Sequence, residues 1–420
     1  YNMKIRAITL GCEIRFIEEH YDELEDILNN LQILRDALAE HNLIVETVRL
    51  CTPPFHKDTH LNQSAFFTNP EIILEALDDF CDEKMLDFYA AHSGLCDQTE
   101  RLTATQKKLI EKLPQQLAEH ENMFTNLQVS STNGINFEAI REGAKITKGL
   151  SAIDPFLNLK YAVTFNVPAN TPFFPSAYHS GATPKISIAL EAADEITKLT
   201  AEYCDTECNL NAVKKSIQER FTQIYDNIEN FIAPFCAKNC LDYFGMDFSP
   251  SQYPTQDKSI AKAVESFQIA EFGEFGTVFG IGFLTNALQT IDRPKIGFSG
   301  FMQPLLEDYY IAKRHEQGKV DLKQLLLNSC MCGLGLDCIP LPGDINLETL
   351  YAIMLDVSMI STRLNKPLTA RLMPVTGKKA GDMTEFDFEY FENSTICAVD
   401  FNKRFVLDRF IKKNDNIRLE

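Results

Sequence analysis

An α/β fold built as one domain, with a largely parallel sheet, is what the chain predicts, and three observations carry that expectation. Period-two apolar runs alternate with amphipathic runs of helical spacing. The first strand, helix and strand follow one another in the order that a parallel sheet requires. No internal repeat, low-complexity tract or linker divides the 420 residues, so residues 1–420 read as one α/β body.

The elements follow in order. Met3 to Leu10 reads as a strand, and Tyr21 to His41 as a helix with Leu24, Ile27, Leu28, Leu31, Leu34 and Leu38 on one stripe. Val45 to Leu50 returns as a strand and is closed by the prolines of CTPPF. A helix near 70 to 79, a strand around Met85 to Ala90, a helix over 105 to 119 and a strand from Leu127 to Ser131 continue the pattern. Leu159 to Val167 is another strand, breaking into the long connection PANTPFFPSAYH, whose aromatic content argues against disorder. Helical spacing then covers 189 to 204, 211 to 232, Ser259 to Phe272 and Thr277 to Leu288. Lys295 to Phe298 reads as extended. Helices follow over Glu307 to Arg314, Leu322 to Met331 and Leu347 to Leu364, with late strands at Leu368 to Met373 and Ile396 to Asp400.

Composition narrows the function. A net charge of -19 with a pI near 4.9 disfavours nucleic acid and anionic membranes as partners, because both attract basic surfaces. The N-terminus alternates charge and apolarity, unlike a secretion signal, and the longest apolar stretch, FGTVFGIGFLTNAL, is too short to span a bilayer. A cytoplasmic protein is expected. Twelve scattered cysteines suggest reduced thiols. Cys204, Cys208, Cys236 and Cys240 form two four-residue spacings that could hold zinc or disulfides, or be buried apolar positions.

Four segments carry residues suited to chemistry. In SCMCGLGLDCIPLPGD, residues 329–344, Gly333, Gly335 and Gly343 allow sharp bends while Pro340 and Pro342 stiffen the exit. Cys332 and Asp337 would be presented there as nucleophile or acid/base, the alternative being a packed structural turn. In LTARLMPVTGKKAGDMTEFDF, residues 368–388, Arg371 and Lys378, with Asp382 nearby, would bind an anionic ligand such as a carboxylate or phosphate. Lys379 reads as a surface residue. In FFPSAYHSG, Tyr178 and His179 would add hydrogen bonding and proton transfer. In GFSGFMQPLLEDYY, Glu307 and Asp308, together with Asp337, Asp344 and Asp382, could form an oxygen-rich magnesium or calcium site, or simply favour helix starts.

The stretches MKIRAITLG, VRLCTPPF, TPFFPSAYH, GFSGFMQPLLED, CGLGLDCIPLPGD and LTARLMPVTGKKAGDMTEFDF resemble, in that order, the uncharacterised family called domain of unknown function 711. The resemblance implies a fold like that of pyruvate formate-lyase: a closed ten-stranded α/β barrel with a central hairpin loop, in a homodimer. It would place CGLGLD on that loop, with Cys332 nearest its reactive cysteine. The Arg-Val-x-Gly-aromatic segment of glycyl radical enzymes is absent, so a stored glycyl radical is not expected. The sequence therefore predicts an enzyme for a small, polar, anionic metabolite, or a non-catalytic binding or regulatory protein on the same scaffold.

Overall fold

The computed structural model describes residues 3–55, 71–96, 101–205, 208–401, 406–414 and 416–418. Its strands are β1 (Met3–Gly11), β2 (Leu43–Val45), β3 (Val48–Cys51), β4 (Phe88–Ala90), β5 (Gly94–Leu95), β6 (Met123–Ser131), β7 (Gly134–Asn136), β8 (Tyr161–Phe165), β9 (Lys185–Glu191), β10 (Asp242–Ser251), β11 (Gly335–Pro342), β12 (Leu368–Val375) and β13 (Asn416–Ile417). They form one mixed sheet whose main path is β10-β9-β1-β3-β4-β6-β8-β12-β11. The centre, β1-β3-β4-β6-β8, is parallel. On each side an antiparallel step, β1 to β9 and β8 to β12, leads to a further parallel pair, β9 with β10 and β12 with β11.

The helical stripe of Tyr21–Glu40 buries the leucines and isoleucine expected of it, packing one sheet face into the main core. Helices Ala104–Glu119 and Leu347–Leu364 also lie where the spacing puts them, and the helix expected near 70 to 79 is Glu71–Asp82. Other expected elements differ. The segment before 193 is strand β9, and a helix runs only over Ala193–Cys204; KISIALE is buried almost throughout, so its apolar run carries no clear period. Ile396 to Asp400 forms no strand.

The sheet is not the closed ten-stranded barrel that the family resemblance implied. Its end strands β10 and β11 do not pair, and residues 295–304 between them make a single bridge to each, Met246 with Lys295 and Pro304 with Asp337. Side chains consume the donors that a ladder would need. The Asp247 carboxylate accepts from the Phe298 and Ser299 amides at 2.7 and 2.8 Å, Ser249 Oγ from Gly300 at 3.1 Å and Thr285 Oγ1 from Phe301 at 3.2 Å.

Nor is 329–344 a hairpin loop. Its second half is β11, a buried strand paired in parallel with β12. The element that crosses the inner face of the sheet is instead the Pro- and Phe-rich connection after β8. Thr9 of β1 donates to the Pro172 carbonyl, Asn126 of β6 to Pro175 and Ser187 of β9 to Asn170, while the His179 amide donates to Thr52. Val167 and Phe173 add an apolar contact with Ala7, Ala189, Phe298, Met302 and Leu334. Among the described residues, no helix is long and apolar enough to cross a membrane.

Candidate functional site

β11 carries one residue more than β12 between two of their pairings: Leu336 faces Ala370, and the next pair is Ile339 with Leu372. The excess is a β-bulge at Asp337 and Cys338, and Cys338 has φ +46°, a left-handed backbone that side chains seldom adopt. Consecutive residues of a flat strand point to opposite faces. Here both side chains enter one cluster with Glu307.

Arg371 of β12 donates from Nε to Asp337 Oδ1 at 2.5 Å and from Nη2 to Asp337 Oδ2 at 2.9 Å. The same Nη2 reaches Glu307 Oε1 at 2.9 Å, and Nη1 reaches the Leu159 carbonyl at 3.3 Å. Cys338 Sγ donates to Glu307 Oε1 at 3.0 Å. Glu307 is held there because the Leu305 amide donates to the Asp337 carbonyl at 3.0 Å. Asp337 and Arg371 are buried and Cys338 fully so, whereas the Glu307 side chain is 18% exposed and gives the cluster its outlet.

Burial raises the Asp337 pKa; Arg371 opposes that rise and Glu307 adds to it. Burial also pushes the Cys338 thiol well above its ordinary range, with Arg371 pulling back and the two carboxylates pushing further. For Arg371, burial favours the neutral form, but Asp337, Cys338 and Glu307 outweigh it and hold the guanidinium charged. The result is a protonated thiol beside two carboxylates that share one cation.

The same three groups offer metal donors within 4.8 Å of one another, the one cluster of three or more such residues among the described residues. A thiolate with two carboxylates suits zinc better than magnesium or calcium. Arg371 occupies those oxygens, so an ion would have to displace it.

The other expected residues lie apart from this cluster. Cys332 is fully buried, accepts from the Gly335 amide at 3.2 Å and has its pKa raised by burial. A Cβ on Gly333 would stand 2.9 Å from Gly300 Cα, and Gly335 has φ +101°, so both serve backbone geometry. Tyr178 donates to the Val167 carbonyl at 2.9 Å, inside the crossing loop. His179 is buried with Nδ1 3.0 Å from Asn170 Oδ1 and Nε2 2.6 Å from the Gly181 carbonyl, and burial pushes its pKa down to about 4. Lys378 pairs with exposed Glu385 at 2.9 Å, and exposed Asp382 accepts from the Lys379 amide at 2.7 Å, both beyond the end of β12. Asp308 turns away to cap Tyr309–Glu316 and to accept from Ser259 and Ile260. Asp344 is exposed. Of the five carboxylates grouped as an oxygen-rich site, Glu307 and Asp337 come together, while Asp308, Asp344 and Asp382 do not join them. Cys204 bonds to Cys208, while Cys236 and Cys240 are free.

Cys338, Arg6 and Arg49 escaped the sequence reading. Arg6 stands where β1 shifts register against β9, pairs with Glu46 at 2.9 Å and Glu191 at 3.5 Å, and lies 4.4 Å above the Tyr390 ring. It is also within electrostatic reach of Glu307. The signal that singled out Arg371, an arginine inside an apolar strand, is equally present in MKIRAITLG and VRLC.

A profile of the family described as uncharacterised ACR (DUF711) matches residues 1–393. Among curated proteins, the chain is similar to a UPF0210 protein of Acetivibrio thermocellus, 26% identical over 97% of this chain and 93% of the relative. One from Halothermothrix orenii is 27% identical over 91% and 88%. Another, from Pyrobaculum arsenaticum, is 29% identical over 70% and 66%.

Proposed function

Because the chain belongs to the DUF711 family of uncharacterised proteins, whose names carry no reaction, we propose from geometry that it is a cytoplasmic enzyme performing acid–base chemistry on a small, polar, anionic metabolite. Glu307 accepts a proton from the substrate, and the Cys338 thiol, kept protonated by burial and by the neighbouring carboxylates, returns one. Arg371 positions Glu307 and Asp337 through its three carboxylate bonds. The observation that carries the reading is the left-handed Cys338 at the bulge, since backbone strain of about 1–3 kcal/mol persists where surrounding structure maintains it and clusters at functional sites.

Proton exchange can be measured whatever the net reaction. Small carboxylic acids are incubated with the protein in D2O and exchange of their carbon-bound protons is followed by NMR. Exchange of at least one acid, abolished by Glu307→Gln and by Cys338→Ala, supports the proposal; no exchange across the panel removes it. The second reading, a non-catalytic binding protein, draws on the enclosure of the cluster, and predicts ligands that raise the melting temperature without exchange. The homodimer implied by the family resemblance belongs to the same reading, and light scattering that gives a monomer mass would remove it.

A further inference from the structure

Arg49 stands apart from every other buried cation described. It lies on β3, paired with Thr9 of β1 and Phe88 of β4, and is 8% exposed. Thr9 bonds to the crossing loop, so Arg49 faces the same interior. Its guanidinium carbon sits 5.1 Å from the Phe174 ring centre and 5.9 Å from that of Phe88. Nε donates to Thr47 Oγ1 at 2.8 Å. Among the described residues, Nη1 and Nη2 meet no acceptor, and no carboxylate oxygen comes within 4.0 Å. The residue is buried without being completely enclosed.

The carboxylates in electrostatic reach are already engaged. Asp87 accepts from the Val48 amide at 2.7 Å and from Arg35 at 3.4 Å, and Glu46 accepts from Lys4 at 2.6 Å and Arg6 at 2.9 Å. Arg6 adds a like charge within electrostatic reach, and Tyr390 lies in the same field. Burial and Arg6 push the Arg49 pKa down to about 9 against the opposing pull of Asp87 and Glu46, so the cation survives at neutral pH with no carboxylate of the described residues in contact with it. A buried charge without a partner is costly, and an incoming anion would relieve that cost.

We propose that Arg49 is the binding site for the carboxylate group of the substrate, held in a two-pronged contact by Nη1 and Nη2 between the rings of Phe88 and Phe174. A single guanidinium between two aromatic faces matches a planar monoanion. A phosphate dianion would need a second free cation, and Arg6 is committed to Glu46 and Glu191. The inference rests on the acid–base reading, with Arg6 in the fields of both Arg49 and Glu307. Binding, however, is measured without turnover.

Acetate is titrated into the full chain in anion-poor zwitterionic buffer, followed by calorimetry and thermal shift, with phosphate and chloride as controls. The expected result is saturable acetate binding that is about tenfold or more weaker in Arg49→Gln, with Arg49→Lys intermediate. Without anions, Arg49→Gln should melt no lower than the parent, because it removes an unpaired charge. Acetate binding that is unchanged in Arg49→Gln, or absent from the parent, overturns the proposal. Phosphate binding in preference to acetate overturns the carboxylate assignment. Should Arg49→Gln fail to fold, equal acetate affinity of Arg49→Lys and the parent does the same. Cys338→Ala should keep the acetate response; a parent that binds acetate through Arg49 but exchanges no carbon-bound proton fails the acid–base reading alone, whereas exchange without Arg49-dependent acetate binding fails this one.

Discussion

Removing Arg371 tests whether the cluster is held by charge. Arg371 and Asp337 are 7% and 4% exposed, so Arg371→Met leaves Asp337 with no cation and Glu307 with only the Cys338 thiol beside it. Breaking a buried pair on one side costs about 3–5 kcal/mol, mostly the desolvation of the charge left behind. Replacing Asp337 by Asn in the same chain removes that stranded charge, so Arg371→Met/Asp337→Asn should recover most of the loss. The pH dependence has a definite sign. Burial already raises the Asp337 pKa, and loss of Arg371 raises it further. A carboxyl with a raised folded pKa contributes stability below its unfolded value, lost as pH rises through the folded one. The deficit of Arg371→Met should therefore be smaller at about pH 5 than at about pH 8. Urea unfolding of parent, single and double variants at both pH values reads each quantity. A double variant as unstable as Arg371→Met, with a deficit independent of pH, would show that packing and not charge holds the site.

Two further outcomes follow from burial. His179, with its pKa pushed down to about 4, is neutral in the folded chain, so its contribution is present above the unfolded value of about 6.5 and lost as pH falls. Between about pH 7.5 and pH 5 the parent should lose ~2 kcal/mol more than His179→Gln; parallel profiles would mean that burial does not shift the ring, and a parent that gains on His179→Gln as pH falls would mean that the ring is charged and donates to both Asn170 and Gly181. For the thiols, iodoacetamide followed by intact-mass and peptide analysis should label exposed Cys240 long before Cys332 or Cys338, because burial holds both in the thiol form. Rapid labelling of Cys332 would restore it as an activated nucleophile.

What the sequence disclosed, and what it hid, divides along a physical line. The helix stripes were legible because one apolar face against solvent produces a period, as in Tyr21–Glu40. Strands buried on both faces, such as β9 and β11, produce none; β11 was read as a loop because its glycines and prolines resemble turn residues. Prolines in β11 are tolerated because β11 ends the main path of the sheet, with no further strand among the described residues paired to its other edge. The closed barrel failed for a related reason: whether residues 295–304 complete a ladder depends on Asp247 and Ser249, some fifty positions away, taking their amides.

The pairing of Asp337 with Arg371 was partly legible, since Asp337 stood out on the glycine- and proline-rich bend and Arg371 as a charge in an apolar strand. Cys338 was not. A regular strand would point it away from Asp337, and only a register shift against β12 turns it back. Adjacent residues can share a site only where the strand departs from its period, so a reading based on periodicity dismisses such positions in advance. Arg6, beside the register shift of β1, follows the same logic: two irregularities, on strands far apart along the sheet, bring Arg6 into the field of the glutamate that Cys338 touches. Bulges in otherwise buried strands are thus where this fold departs from its own pattern to gather charge, and the Arg371 and Cys338 variants probe whether that gathering is chemical or merely structural.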